Sequence, residues 1–147
     1  MTTASVTVED VGPVLRATVK LSGCTAEQWL SAFTDPERVA RWWGGDLSTD
    51  LTVGGPYVVR FPTLGQTLDG QVVGYEPARL LEFTWSWDGA EEPRRTVVVR
   101  AAPSRLTITH GPHGETKEER AARAEHRAGW ESLLPKLVTS LGPQGQR

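Results

Sequence analysis

Apolar and polar positions alternate along Leu15–Leu21, with Leu15, Ala17, Val19 and Leu21 on one side and Arg16, Thr18 and Lys20 on the other. A period of two predicts a half-buried strand. Thr25 followed three residues later by Gln28 has the form of a capping box, and Trp29, Leu30 and Phe33 give the short helix behind it an apolar face. Asp35-Pro36 starts a second helix, with Asp at the N-cap and Pro at the first helical position; Val39, Trp42 and Trp43 follow, and Gly44-Gly45 stops it. Short strands then alternate with turn residues. They run through Tyr57, Val59 and Phe61, through Gly70, Val72 and Val73, along Leu81–Trp87, and over Thr96–Arg100 and Leu106–His110. Glu76-Pro77-Ala78-Arg79 reads as a reverse turn, and Asp88-Gly89 with Glu91-Glu92-Pro93 as a polar loop.

Residues 116–141 carry helical periodicity. Thr116 can cap the helix, and Glu118 and Glu119 in its first turn suit the macrodipole. His126, Trp130, Leu133, Leu137 and Leu141 share a stripe that Leu134 and Val138 widen. Arg120, Arg123, Arg127 and Glu131 take the opposite face, and Glu119 with Arg123 forms a favourable i,i+4 pair. Pro135 lacks the N–H that would bond the carbonyl of Glu131, so a kink or a two-piece helix is expected there.

Composition narrows the class. The 147 residues carry a net charge of -2, which gives no basic surface for nucleic acid or anionic membrane. Cys24 is the one cysteine, so neither an internal disulfide nor a cysteine cage for metal can form. No apolar run approaches the ~20 residues of a bilayer span. Residues 1–12 lack the basic start and apolar core of a signal peptide, so the expected location is the cytoplasm. A single domain over 1–147 is expected, with 1–12 and 142–147 as loose tails. The three lysines are Lys20, Lys117 and Lys136; the arginine bias carries no functional reading.

The order is strand, two short helices, a run of antiparallel strands and one long helix, an α+β arrangement in which that helix must cover the sheet. Phe33-Thr34-Asp35-Pro36-Glu37, Trp42-Trp43, Val53-Gly54-Gly55, Gly70, Tyr75–Leu80, Phe83-Thr84-Trp85, Leu106–His110 and Gly129-Trp130 occur in an order that covers nearly the whole chain. In these the chain resembles the START-like, helix-grip (SRPBCC) superfamily. Within it, the chain is similar to bacterial proteins related to the C-terminal domain of the activator of heat-shock protein 90 ATPase. Pro135 and the highly charged start of the last helix depart from that pattern. The resemblance implies a curved antiparallel sheet gripping the long C-terminal helix, often with a cavity between them. It also implies binding of a small apolar or aromatic molecule. Some superfamily members cyclise or dehydrate polyketides. The family name adds a link to chaperones and the stress response, but that activity need not pass to a stand-alone domain.

The residues expected to line such a cavity are Trp42, Trp43, Phe61, Phe83, Trp85, Trp87, His110, His126, Trp130 and Leu134. Leu81, Phe83, Trp85 and Trp87 share a strand face, and they either wall a pocket or fill it. Trp42 and Trp43 cannot face inward to equal depth. His126, one turn before Trp130, reads as a core histidine bonded to a carbonyl or to a hydroxyl such as Thr84 or Tyr75. His110, His113 and Glu115 have the spacing of metal ligands, but a turn is not expected to aim both rings at one point, so no metal and no cofactor are expected. Cys24 precedes a helix N-terminus, which could lower its pKa; with no partner in sequence, a structural thiol is expected. No serine triad, carboxylate pair, phosphate loop or dinucleotide fingerprint appears. The expectation is a small-molecule-binding protein without robust catalysis. The alternatives are a cyclase or dehydratase using His126 or His110 with Tyr75 or Asp69, and a module acting on a chaperone. A homodimer stays open.

Overall fold

The computed structural model of the chain describes residues 4–87 and 95–141. In order they form β1 (Ala4–Val11), β2 (Val14–Leu21), α1 (Ala26–Thr34), α2 (Pro36–Trp42), β3 (Asp46–Thr49), β4 (Pro56–Phe61), β5 (Gln66–Glu76), β6 (Leu80–Trp85), β7 (Arg95–Ala102), β8 (Arg105–Gly111) and α3 (Lys117–Leu141). The strands make one antiparallel sheet in the order β1-β2-β8-β7-β6-β5-β4-β3. The sheet curves around α3, the α+β helix-grip arrangement that the resemblance implies. Of the expected loops and tails, Asp88-Gly89, Glu91–Pro93 and residues 142–147 lie outside the described residues.

The curvature has a local cause in β5. Its first part pairs with β4, its second with β6, and the register slips between Val72 and Gly74. Where the two pairings meet, a Cβ on Gly70 would lie 2.1 Å from the Thr84 carbonyl oxygen, so only glycine lets the strands approach that closely. Asp69 N–H donates to the Ser86 carbonyl at 2.7 Å, and Leu68 bridges Trp87. The bend sets the end of β6, with Trp85 and Trp87, beside the end of β4.

The inner sheet face is mostly apolar. Leu15, Ala17, Val19 and Leu21 of β2 are buried with Leu81, Phe83, Val97, Val99, Leu106 and Ile108. From α3 come Trp130, Leu134, Leu137 and Leu141. Both short helices are capped as the sequence predicts. Thr25 and Gln28 complete the capping box, and the Asp35 carboxylate accepts from Glu37 N–H. Thr116 Oγ1 accepts from Glu119 N–H at the start of α3.

Three expectations are corrected. Residues 4–11 are a strand, not a loose tail: they pair with β2 residue for residue, and a partner strand supplies the backbone bonds that their composition does not advertise. The same strand is held from the arginine face of α3. Arg123 and Arg127 donate to the Asp10 carboxylate and to the carbonyls of Gly12, Val14 and Val8, tying the edge strand to the helix. The Glu119–Arg123 pair is replaced, because the Glu119 carboxylate accepts from Arg95 and from Gly114 N–H. Of the two outcomes expected at Pro135, the two-piece helix does not occur: α3 runs unbroken from Lys117 to Leu141 with Pro135 inside it. The bond to Glu131 O is still forfeited for lack of an N–H, but both residues are solvent-exposed, so water can take that carbonyl.

Candidate functional site

One end of the grip does not close. A cavity of about 300 Å³ lies among Trp43 at the C-cap of α2, Phe61 at the end of β4, Trp85 and Trp87, His110 on β8, and His126 and Trp130 on α3. Leu64, Gln66, Glu125, Gly129 and Leu133 complete its wall. Leu64 is 65 % exposed and Glu125 is exposed too, which places the mouth between the β4–β5 turn and α3. The tryptophans stand around the space. Trp43 and Trp85 are nearly parallel with centroids 6.2 Å apart, Trp85 and Trp87 meet edge to face at 5.5 Å, and Trp43 lies 6.3 Å from Trp130. A Cβ on Gly129 would meet no atom within 4 Å.

Seven of the ten residues expected at the cavity line it: Trp43, Phe61, Trp85, Trp87, His110, His126 and Trp130. The other three are core. Trp42 lies behind Trp43, stacked on it at 5.3 Å, and its indole N–H donates to the Ala32 carbonyl. Both tryptophans of the pair are buried, but at unequal depth as expected: Trp42 packs in the core and Trp43 lines the cavity. Phe83 is fully buried against Tyr57, and Leu134 faces the core while Leu133 faces the cavity. Of the lining residues not expected, Leu133 carries a signal in the helical stripe. Leu64, Gln66, Glu125 and Gly129 carry none.

The three histidines of the chain come together at the cavity's inner end. The turn after β8 brings His110 and His113 close, with ring centroids 5.5 Å apart. Gly111 lets this segment pack against Pro13 and Val14, where a Cβ would be 3.0 Å from the Pro13 carbonyl oxygen, and His113 N–H donates to that same carbonyl at 2.7 Å. His113 Nε2 then lies 2.9 Å from His126 Nδ1. That imidazole is the partner of His126, in place of Thr84 or Tyr75. The Thr84 hydroxyl accepts from Gln71 N–H instead. His110 stacks on His126, with centroids 4.4 Å apart and planes 25° apart, and its Nδ1 accepts from Trp130 Nε1–H at 3.0 Å.

Burial sets the protonation of this cluster. It lowers the His126 pKa to about 4, and repulsion from Arg95, and from His113 whenever that ring is protonated, adds to the effect. Burial likewise lowers those of His113 and His110, the latter well below the usual value. All three rings are neutral at neutral pH, the form that binds metals, and one nitrogen of each lies within 4.8 Å of the others. The arrangement still does not suit an ion. Ligand nitrogens around tetrahedral zinc stand about 3.3 Å apart. Stacked rings aim their in-plane lone pairs side by side, and the Trp130 N–H already takes the lone pair of His110 Nδ1.

The acid–base partners named for a catalytic reading are elsewhere. Asp69 is exposed, Tyr75 is half-buried, and neither lines the cavity. The Cys24 thiol is buried, and burial raises its pKa to about 11. Desolvation outweighs the helix terminus, so the thiol is structural. No helix among the described residues is long and apolar enough to cross a membrane.

Comparison with known proteins agrees with this architecture. DynU16, described as a protein of the dynemicin biosynthetic locus, superposes with a TM-score of 0.75 at 28% identity over 91% of this chain, which spans 49% of DynU16. CalU16 from Micromonospora echinospora gives 0.68 at 23% identity, covering 100% of this chain and 90% of its own. An AHSA1 protein from Silicibacter pomeroyi gives 0.69 at 23% identity, covering 89% and 99%. No curated protein matches the sequence. The family described as "Activator of Hsp90 ATPase homolog 1-like protein" matches residues 23–142, and the chain belongs to that family.

Proposed function

We propose that this protein binds a small, flat, apolar molecule and has no robust catalysis of its own. The observation that carries the reading is the open space of about 300 Å³ walled by Trp43, Phe61, Trp85, Trp87 and Trp130. Side chains of that size would interdigitate if they served packing alone, and the volume is at the lower end of the range for ligand sites. DynU16 is placed in a biosynthetic locus, a setting in which small molecules are made, and a small molecule suits the size of this cavity. The mouth at Leu64 and Glu125 gives a small molecule a way into the cavity. Acid–base turnover is disfavoured by His126: a base held at about pH 4 is weak at neutral pH.

The test uses Gly129. Leucine there projects into open space, fills the cavity and removes a helix-interior glycine. A hydrophobic fluorescent probe should bind the native protein and quench its tryptophans. Gly129→Leu should abolish that binding while melting at the same or a higher temperature. Unchanged probe binding in Gly129→Leu would place the probe elsewhere and remove the reading's support.

A further inference from the structure

Two buried N–H groups on the cavity wall have no acceptor among the described residues, and they restrict what the occupant can be. The indole nitrogen of Trp130 only donates. It points at His110 Nδ1 from 3.0 Å, so Nδ1 is the accepting nitrogen. The ring is neutral, because burial in the company of His126, His113 and Arg95 opposes its charge. A neutral imidazole that accepts at Nδ1 carries its proton on Nε2. His110 is 1 % exposed, lines the cavity, and has no partner for Nε2 among the described residues. Trp85 repeats the pattern on the adjacent ring, 4.7 Å away between centroids: it lines the cavity, is buried, and its Nε1–H is unpaired among the described residues. Native interiors rarely leave such donors dry and unmatched. His113 Nδ1 is also unpaired, but His113 is not part of the wall.

Resting on the ligand-binding reading above, we infer that His110 Nε2–H donates to an oxygen of the bound molecule, with Trp85 Nε1–H as a second donor. The cavity then selects aromatic carbonyl compounds over hydrocarbons of the same outline. The tryptophan walls supply stacking surface for any flat ring. The two donors supply discrimination, because a hydrocarbon leaves both unpaired while a carbonyl oxygen has two lone pairs to offer. Donor-only chemistry at this point excludes a ligand that presents an N–H or an ammonium to the same place.

Acetonaphthone and ethylnaphthalene, substituted at the same ring carbon, differ in one carbonyl and little in shape. Each is titrated into the full chain and into His110→Phe and His110→Gln, with tryptophan emission as the readout. Glutamine can accept from Trp130 and donate to the ligand; phenylalanine can do neither. The ketone-over-hydrocarbon preference of the native protein should fall by about tenfold in His110→Phe and be largely kept in His110→Gln. The same preference in all three proteins would overturn the inference and leave the binding reading standing. Binding of neither probe to the native protein would overturn both. Where His110→Phe does not fold, NMR of the native imidazole nitrogens decides. The inference requires an Nε2–H tautomer at His110 whose resonance moves with the ketone and not with the hydrocarbon. An Nδ1–H tautomer, or an unmoved resonance, contradicts it.

Discussion

Two aromatic groups lie under the same sheet, and only one of them is closed. Tyr57 and Phe83 stack at 4.1 Å, and Phe33 meets Trp42 edge to face at 5.2 Å. Their polar atoms are matched: Tyr57 O–H donates to the Phe33 carbonyl and Trp42 N–H to that of Ala32. Trp43, Trp85, Trp87 and Trp130 are the same kind of residue, yet they stand around a void, with the N–H groups of Trp85 and His110 unpaired among the described residues. Phe83 and Trp85 are two residues apart on one face of β6 and are 0% and 6% exposed. Burial therefore does not separate core from wall here. What separates them is whether a second layer fills the space and whether polar atoms find partners within the chain. Trp29 is the exception: it is fully buried with an unpaired N–H away from the cavity, and the structure offers no account of it.

The comparison breaks most visibly at β6. Phe83→Ala should cost ~3–5 kcal/mol, because it empties a filled site. Trp85→Ala should cost less, ~1–3 kcal/mol, since its ring already borders space. Equal losses in denaturant unfolding would mean that the two groups are one core. The closed half of α3 carries a removable defect. Pro135 is exposed between the buried Leu134 and Leu137. Pro135→Ala should restore the bond to Glu131 and raise stability by ~2 kcal/mol, the helix-interior penalty of proline less its restriction of the unfolded chain. No gain would show that the helix has already relaxed around it.

Acid should expose the cavity half. Its histidines titrate near 6.5 when unfolded and lower when folded. Below pH 6.5 the unfolded chain therefore binds protons that the native state refuses, and stability falls with pH. For His126 the window runs from 6.5 to about 4, at about 1.4 kcal/mol per pH unit while the ring stays neutral. The charged neighbours Arg95 and Glu119 are paired with each other, and the carboxylates of Glu119 and Asp10 are held below their ordinary values of 4.5 and 3.8, so their loss begins only at the acid end of that window, outside the range from pH 6 to 5. His126→Phe should flatten the slope between pH 6 and 5 in thermal melts; an unchanged slope would assign the protons elsewhere.

Much of the fold was legible in the sequence because its signals are local. Alternation marks β2, β6 and β8, and Thr25, Asp35 and Thr116 mark helix starts. β1 was not legible, since its ordering comes from β2 on one side and from Arg123 and Arg127 on the other. β3 is four residues long, too short for a period to show. At the site, aromatic residue type and strand face pointed to Trp85 and Trp87 and equally to Phe83, because alternation cannot tell which end of a sheet is filled. Leu133 and Leu134 are neighbours on a helix, and a rotation too small for a sequence pattern to specify decides which faces the cavity. The histidine cluster depends on contacts 13 and 20 residues apart in sequence, His113 with His126 and His110 with Trp130. No spacing rule covers those.

The central claim is that the wall formed by Trp85 binds a ligand while the core formed by Phe83 only holds the fold. A probe titration of Trp85→Ala and Phe83→Ala, each at a temperature where it is folded, tests this most directly. The account predicts that Trp85→Ala stays folded and loses most of its affinity, and that Phe83→Ala is the less stable protein with near-native affinity. Equal affinity in the two variants, or a greater loss in Phe83→Ala, would contradict it.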